Sequence, residues 1–403
     1  MLEEDFGISL NLDMVYQMMN KLDDRAEKKA NDIAYRNTLK LFKNKIDVIF
    51  FDCTTIYFES FKEDDLKENG YSKDNKFGQP QVLMALMVTK EGLPIGYKIF
   101  NGSKYEGDTL IPVLKELKTS YDLDKVIFVA DAGMTKEGNL KALEKLESEG
   151  LEYIVGARIK NLPRVLTEQV LDHNNYRGNE EFKTAQFNYK GRNLIVSYSK
   201  NRAEKDSFDR QKGIERIKKK LKKSKNPEEY LSNYGNRKYL KLEGDATIVL
   251  DEDKIKANSR WDGLHGVISN CKNLTHRDIL EQYTNLWEVE NAFRVTKHDL
   301  KVRPVFHWKP ERVRAHLIIS FVAYTLVKHL EYRVKLQYVK MSPEKIRQVL
   351  LRVQTSILYS KQKNIRYALP SKSSQEAKKI YKILEVPLKT TPYILEKCSA
   401  RQK

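Results

Sequence analysis

The residues with the clearest chemical pattern lie in the segment YTNLWEVENAFRVTKHDLK, from Tyr283 to Lys301. The segment contains no Pro or Gly, so we predict that it forms one continuous helix. At about 100° per residue, Tyr283, Glu290 and Lys297 fall in one narrow strip of that helix. Arg294 lies beside the strip, one turn after Glu290. A carboxylate surrounded by a phenol, a guanidinium and an ammonium has the chemistry to bind a phosphate and a metal ion.

Two further acids follow apolar runs that are typical of strands buried on both faces. The first run, IDVIFF, ends in Asp52, and the second, KVIFVA, ends in Asp131. Neighbouring parallel strands end at the same edge of a sheet, where α/β folds place their ligand sites. Either acid alone is more simply an ordinary strand-end residue. Together they predict a shared site, and we expect Asp52 and Asp131 to lie side by side.

The elements that must position these acids are predicted in the order strand, strand, strand, helix, strand, helix, strand, between residues 45 and 158. The first three strands can form an antiparallel meander, and the fourth can pair in parallel with the first through a right-handed crossover. We therefore predict an α/β fold, with a mixed sheet flanked by helices. A hairpin, a very basic helix and short strands follow, and they predict a β-rich insertion in this core.

The chain is predicted to have five segments. They are an N-terminal helical segment at 1–44, the first part of the core at 45–158, a β-rich insertion subdomain with a basic helix at 159–273, the second part of the core at 274–335, and a C-terminal helical tail at 336–403.

Three carboxylates brought together would suit a hard divalent cation, because Mg²⁺ prefers oxygen ligands and uses few carboxylates. Without a cation, Asp52, Asp131 and Glu290 would repel one another and raise each other's pKa. Two such ions, about 3.5–4 Å apart, activate a water or hydroxyl and stabilise the leaving oxygen of a phosphodiester.

The composition of the chain indicates what kind of partner it binds. The chain has 403 residues and a formal net charge of +18, which favours a polyanion such as nucleic acid. The alternative is a basic protein from a lysine-rich proteome.

The three cysteines of the chain are far apart and indicate neither a disulfide framework nor a zinc site. The N-terminus lacks the pattern of a signal peptide, and the longest apolar run, from His316 to Val327, is too short to span a bilayer. We expect a cytoplasmic protein with no membrane partner.

The pattern around Glu290 resembles that of the bacterial insertion-sequence DDE transposases, in the branch with a Tyr-Arg-Glu-Lys motif. The motif spacing is kept by Tyr283, Leu286, Glu290 and Lys297, although Leu286 stands at the family's Arg position. Arg294 would compensate for that change. The stretches FFDCTTIYFES, VADAGM, WDGLHGV and RPVFHWKPERVRAHLIISF also resemble this family in the same order, so that the resemblance covers about residues 45 to 335.

The resemblance implies an RNase-H-like catalytic core interrupted by a β-rich insertion. It implies cleavage at the ends of a mobile element and transfer of the freed 3′-hydroxyl to target DNA. Asp52, Asp131 and Glu290 would be the catalytic residues and would bind two Mg²⁺ ions, with Mn²⁺ as a substitute. Tyr283 and Lys297 would bind phosphates near the cleaved end.

Other basic residues are also candidates for DNA contact. Arg294 flanks the motif, Arg158 and Lys160 follow the fifth predicted strand, and the run from Lys218 to Lys225 would neutralise several phosphates. The expected partners are double-stranded DNA, at element ends and at target sites, and further copies of the chain in a homodimer or larger assembly. The expected location is the bacterial cytoplasm, at the nucleoid.

Two alternatives remain open. One is an RNase-H-like nuclease that cuts without strand transfer. The other is a transposase-derived DNA-binding protein that has lost catalysis through truncation or through the change at Leu286.

Overall fold

The structure is a computed structural model. It describes residues 11–42, 45–58, 62–71, 78–120, 126–221, 235–243, 247–300, 302, 305–363 and 365–395. By its internal contacts the chain divides into two compact units. The first unit comprises Met1–Ile46, Cys53–Lys104 and Glu288–Lys403, and the second comprises Asp47–Asp52 and Tyr105–Trp287. The five segment boundaries given above stay a prediction.

The N-terminal segment is helical, as expected. It forms α1 (Leu12–Met19) and α2 (Asp24–Leu41). The side chain of Asn11 accepts a hydrogen bond from the Met14 N–H at the start of α1, and that of Asp23 accepts from Arg25 and Ala26 at the start of α2. These N-caps satisfy amide groups that have no partner within the helices, and they explain why the helices begin there.

The predicted strands of the core are present, with bounds close to those expected. They are β1 (Val48–Tyr57), β2 (Gln81–Thr89), β3 (Pro94–Asn101), β4 (Ile127–Ala130) and β5 (Glu152–Gly156). Strands β2 and β3 pair antiparallel, whereas β1 with β4 and β4 with β5 pair in parallel. Helix α3 (Leu110–Ser120) lies between β3 and β4 in the chain, and α4 (Glu137–Lys145) lies between β4 and β5.

Strand β1 is longer than the first apolar run. Asp52 does not end it, because the strand continues through a β-branched and aromatic sequence to Tyr57. Its first half pairs with β4 up to Phe51, and β1 is also hydrogen-bonded to β2. Asp52 therefore lies at the end of the β1–β4 pairing, within the strand.

The insertion continues the sheet. Its elements are α5 (Arg164–Leu171), β6 (Arg177–Gly178), β7 (Phe182–Tyr189), β8 (Arg192–Ser199), α6 (Lys200–Leu221), β9 (Leu240–Glu243), β10 (Thr247–Leu250), α7 (Glu252–Ser259) and β11 (Leu264–Ser269). Strand β11 pairs antiparallel with both β5 and β8, and β8 pairs with β7. The hydrogen-bonded order is β3-β2-β1-β4-β5-β11-β8-β7-β6, and β9 and β10 form a separate ribbon. The α/β class with a mixed sheet is therefore confirmed.

The segment from Tyr283 to Lys301 does not form one continuous helix, and that prediction was wrong. Helix α8 (His276–Thr284) ends before Asn285, and α9 (Trp287–Arg294) follows Leu286. The Leu286 N–H donates to the Tyr283 carbonyl, three residues back, which tightens the last turn of α8 and ends it. A π-helical turn (Val295–Asp299) follows α9. The absence of Pro and Gly permitted a helix but did not impose one.

The C-terminal part contains more than the predicted helices. Helices α10 (Pro310–Gln337), α11 (Pro343–Leu351) and α12 (Gln375–Ile383) are accompanied by a three-stranded sheet that we did not predict, formed by β12 (Thr355–Ser360), β13 (Ile365–Pro370) and β14 (Tyr393–Leu395). Val334, Ile346, Val349, Ala377 and Ile380 form a buried cluster that joins the three helices.

Within the described residues, α10 is the one helix whose length and apolar composition would suffice to cross a membrane. Several of its side chains, including those of Leu317, Phe321 and Tyr324, are buried in the fold. The Tyr324 hydroxyl donates to the Gly92 carbonyl at 2.8 Å. These side chains pack α10 into the core of the first unit.

Candidate active site

Asp52 and Asp131 are neighbours at the end of a parallel strand pairing. The last paired residues of β1 and β4 are Phe51 and Ala130, and the two acids come next. Residues at matched positions of adjacent strands lie about 4.8 Å apart with their side chains on the same face. Both acids are half-buried. The predicted parallel pairing is confirmed, and it places Asp52 and Asp131 at neighbouring backbone positions, from which their side chains would leave the same face of the sheet.

The loop after β4 holds Asp131 in a defined conformation. Its Oδ1 accepts a hydrogen bond from the Gly133 N–H at 2.8 Å and caps a short 3₁₀ turn. The amide of Asn139, which is buried, donates to the carbonyls of Met134 at 3.2 Å and Gly107 at 2.6 Å. The second of these bonds ties the Asp131 loop to the loop that precedes α3.

Tyr283 lies over the end of β5, beside the same loop. Ala130 pairs with Val155, so Gly156 is the β5 residue at the level of Asp131. A Cβ at Gly156 would collide with the Tyr283 hydroxyl and would lie 2.9 Å from the Ala132 nitrogen. The phenol therefore occupies a space that only a glycine leaves open.

A histidine supports the Tyr283 ring from β11. The ring centroids of His265 and Tyr283 are 5.0 Å apart. Burial, and to a smaller extent the charge of Arg202, lowers the pKa of His265 to about 4. His265 is therefore a neutral imidazole at pH 7, and it positions the phenol without adding a charge.

Arg158 is held at this edge of the sheet as well. Its Nε donates to the Ala132 carbonyl at 3.1 Å, and its side chain is exposed. In the second unit, therefore, four predicted site residues lie around the ends of β4 and β5: Asp52, Asp131, Tyr283 and Arg158.

Lys160 lines a different feature, a pocket of about 350 Å³ that Trp261 also lines. The pocket wall includes the Arg210–Asp262 ion pair. The basic run begins with Lys218, Lys219 and Lys220, which are exposed in the last turn of α6, and its continuation to Lys225 lies outside the described residues.

Glu290, Arg294 and Lys297 belong to the first unit. Helix α9 buries Val289, Ala292 and Phe293, and this packing leaves Glu290 exposed on the opposite side. Arg294 donates through Nε and Nη2 to the Asn291 side chain, at 3.2 and 2.8 Å. Lys297 is half-buried in the π-helical turn, a distortion that often occurs at functional sites.

The residue at the family's Arg position has a structural explanation. Leu286 is buried, with 8% of its surface exposed, in the short link between α8 and α9. An arginine pointing inward there would carry a charge into the core, which is costly without a partner. An apolar side chain suits this link.

The two acids of the second unit, Asp52 and Asp131, have the oxygen donors that a hard divalent cation prefers. Asp52 and Asp131 offer carboxylate oxygens on one face of the sheet, and a bound cation would relieve their mutual repulsion. Among the described residues, no group of three or more His, Cys, Asp or Glu side chains forms a metal-holding cluster. The metal-binding roles of Asp52, Asp131 and Glu290 stay a prediction.

Sequence reasoning missed the supporting residues of this site. We did not predict Gly156, His265 or Asn139 as site residues, although His265 lies in the stretch WDGLHGV quoted above, because each acts through contacts with other parts of the chain. Gly156 gave a further signal, because a glycine at the end of an apolar strand often marks a close approach by another group.

The fold and the site define an α/β protein with acids aligned on neighbouring strands of a mixed sheet. The sequence profile of the family described as Transposase DDE domain matches residues 43–326. The chain belongs to this transposase family. A search of curated proteins finds no significant match.

Three solved structures are similar at low identity. The cryo-EM structure of the piggyBac transposase synaptic complex with hairpin DNA is 12% identical, with a TM-score of 0.37, over 81% of this chain and 59% of that one. The Mos1 transposase paired-end complex with the left transposon end is 17% identical, with a TM-score of 0.20, over 38% of this chain and 47% of that one. The Mos1 strand transfer complex is 18% identical, with a TM-score of 0.19, over the same shares. This chain therefore covers less than two thirds of each of these proteins.

Proposed function

We propose that this protein is a DNA transposase that cleaves at the ends of a mobile element and joins the freed 3′-hydroxyl to target DNA. The observation that carries the proposal is the pairing of Phe51 with Ala130, which makes Asp52 and Asp131 adjacent. Membership of the transposase family supports the same reaction class.

We infer that Asp52, Asp131 and Glu290 bind two Mg²⁺ ions, with Mn²⁺ as a substitute. Hard oxygen donors on one face of a sheet suit such ions. When bound, the ions would supply an activated oxygen nucleophile and stabilise the leaving oxygen of the phosphodiester. Asp131 is suited to a fixed ligand position, because its hydrogen bond to the Gly133 N–H restricts its side chain.

The remaining residues would hold the DNA backbone. The Tyr283 phenol can donate a hydrogen bond to a phosphate oxygen. Its packing against Gly156 and His265 limits the motion of the ring. Arg158, Arg294 and Lys297 would supply positive charge, and Arg158 is oriented by its bond to the Ala132 carbonyl. These contacts would position the scissile bond and would not read base sequence.

The partners follow from the reaction. Double-stranded DNA would bind as element end and as target, and two ends must be joined together, so the active form would be a homodimer or a larger assembly. The net charge of +18 favours binding to a polyanion. We further propose a cytoplasmic, nucleoid-associated location.

A strand-transfer assay with a pre-cut element end, run beside a cleavage assay with an uncut end, tests this function. The DNA flanking the gene supplies the candidate end sequence, because short inverted repeats on both sides would mark the element. We expect joined product that depends on Mg²⁺ or Mn²⁺. Cleavage without joining would identify a nuclease, and metal-independent binding without cleavage would identify a DNA-binding protein.

A further inference from the structure

Two large aromatic side chains are displayed on a short segment before α10. Phe306 is 70% exposed and Trp308 is 74% exposed, whereas Val305 is 2% exposed and His307 is partly buried. This alternation is that of an extended strand, in which residues i and i+2 face the same way. Phe306 and Trp308 therefore share one outward face.

A β-bridge and a hydrogen bond fix the backbone of this segment on its buried side. Val305 forms a parallel bridge with Phe58, the residue after β1. The Trp308 carbonyl accepts a hydrogen bond from the Lys67 ammonium at 2.5 Å. Lys67 is 2% exposed and forms an ion pair with Asp64 at 2.9 Å. A buried lysine thus fixes the backbone that carries an exposed tryptophan.

The partly buried side chain of His307 also fixes the segment in place. The His307 ring lies 5.3 Å from that of His316 and 6.2 Å from that of Tyr16, centroid to centroid. His316 in turn contacts the Val302 carbonyl at 3.2 Å. The two exposed rings are therefore presented on a pre-organised backbone, which reduces the entropy lost when a ligand binds.

The spacing of the rings suggests what they bind. Residues i and i+2 of an extended strand are about 6.6 Å apart, and stacked nucleotides rise about 3.4 Å per base. Two rings that extend from backbone positions at this separation leave room for one base between them, in stacking contact with both. Aromatic side chains beside cations are the usual means of holding unpaired bases, and Lys309 is exposed next to Trp308.

We propose that Phe306 and Trp308 form a stacking site for one unpaired base of the DNA on which this protein acts. This inference rests on the proposed transposase function. The site would hold a base freed from its partner near a DNA end, and Lys309 would neutralise an adjacent phosphate.

The small area of the two rings disfavours a second copy of the chain as the occupant. A stable protein interface buries more than about 1,000 Å², whereas two aromatic side chains supply about 150–250 Å² each. DNA is complementary in charge and needs only the two rings.

The test uses the full-length protein and two DNA duplexes of the same length, one fully paired and one with mismatched bases at one end. The duplexes carry the same charge, so a difference in affinity reports base contacts. We expect wild type to prefer the mismatched end, and Trp308→Ala or Phe306→Ala to weaken that binding about tenfold. Trp308→Phe should keep the preference, because it keeps a stacking ring.

Two controls make the result specific. Leu326→Ala removes a side chain that is 68% exposed but has no ring, and it should leave the preference intact. Tryptophan fluorescence gives a second readout, because stacking on a base should quench Trp308. This quenching should be greater with the mismatched end and should disappear in Trp308→Phe.

The outcomes separate this inference from the proposed function. If the protein binds and cleaves DNA but both alanine variants match wild type on both duplexes, the stacking site is refuted and the transposase proposal stands. If wild type neither binds nor cleaves DNA, both fall. If the variants change only the oligomeric state measured by light scattering, the surface is a protein interface and the stacking site is refuted.

Discussion

The hydroxyl of Tyr283 occupies the space that a Cβ at Gly156 would need. Gly156 ends β5 at the level of Asp131, so this contact places a phenol beside one of the two aligned acids. A backbone glycine and a helix residue far along the chain thereby define one wall of the candidate site.

We expect Gly156→Ala to lower DNA cleavage markedly, because the new methyl group would displace the Tyr283 phenol or shift β5. The matched comparison is Tyr283→Phe, which removes the hydroxyl and keeps the ring on His265. Cleavage of a labelled DNA end and the thermal unfolding midpoint should be measured for both variants. Wild-type cleavage in a folded Gly156→Ala protein would show that the position of Tyr283 is unimportant.

Asp52→Asn, Asp131→Asn and Glu290→Gln should each abolish cleavage while leaving salt-sensitive DNA binding. The amide keeps the shape of the side chain, and in Asp131→Asn it keeps an acceptor for the Gly133 N–H. The chemical loss is therefore the charge needed to bind a divalent cation.

A stability measurement distinguishes a ligand role from a folding defect. Mg²⁺ or Mn²⁺ should raise the unfolding midpoint of the wild type, because a ligand that binds only the folded state stabilises it. The Asp52 and Asp131 variants should lose that increase, and without metal they should be at least as stable as the wild type, because one of two repelling charges is gone. Full activity in any acid variant would remove that residue from the site.

Lys297→Ala should reduce cleavage without unfolding the protein. Lys297 is half-buried at the π-helical turn, and its ammonium would contact a DNA phosphate. The matched control is Lys361→Ala, an exposed lysine in the turn between β12 and β13, which should behave as wild type. Equal rates for the two variants would exclude Lys297 from the reaction.

Acid should destabilise the protein in part through His265. Burial, and then the charge of Arg202, lower its pKa in the folded state from 6.5 to about 4. Between these two values the unfolded chain binds a proton that the folded protein does not. This contribution to stability is therefore complete above pH 6.5 and is lost as the pH falls towards 4.

The size of this effect is up to about 3 kcal/mol. Chemical unfolding at several pH values should show a smaller acid loss for His265→Gln than for wild type. The same pair compared at pH 8 gives the packing cost alone, since the histidine is neutral there in both states. Parallel pH profiles for the two proteins would contradict the assignment. His329, whose pKa burial also lowers to about 4, should add a similar loss in the first unit.

The strands of the core could be predicted because each leaves a local signal. The apolar runs before Asp52 and Asp131 gave both the buried strands and their parallel pairing, since an intervening helix makes a crossover possible. Strands β2 and β3 were found from their β-rich runs and the turn between them. In these places the periodicity of the sequence and the final environment agree.

The remaining features depend on contacts between distant parts of the chain. Helix α8 ends at Thr284, where the Leu286 N–H bonds to the Tyr283 carbonyl, although neither Asn285 nor Leu286 is a residue that breaks a helix. The pairing of β11 with β5 has no local signature, and β12, the first strand of the C-terminal sheet, is exposed along almost its whole length. Residues such as Gly156 and His265 acquire their roles only when these elements meet.

The pairing of β11 with β5 also has a consequence for synthesis on the ribosome. A nascent chain that has reached only β5 carries the bare hydrogen-bonding edge of that strand. Helices α5, α6 and α7 and the five strands β6 to β10 must all emerge before β11 can cover it. During that interval the unfinished sheet is open to association with other chains. A translational pause or a premature stop before Leu264 would therefore favour aggregation over a soluble fragment.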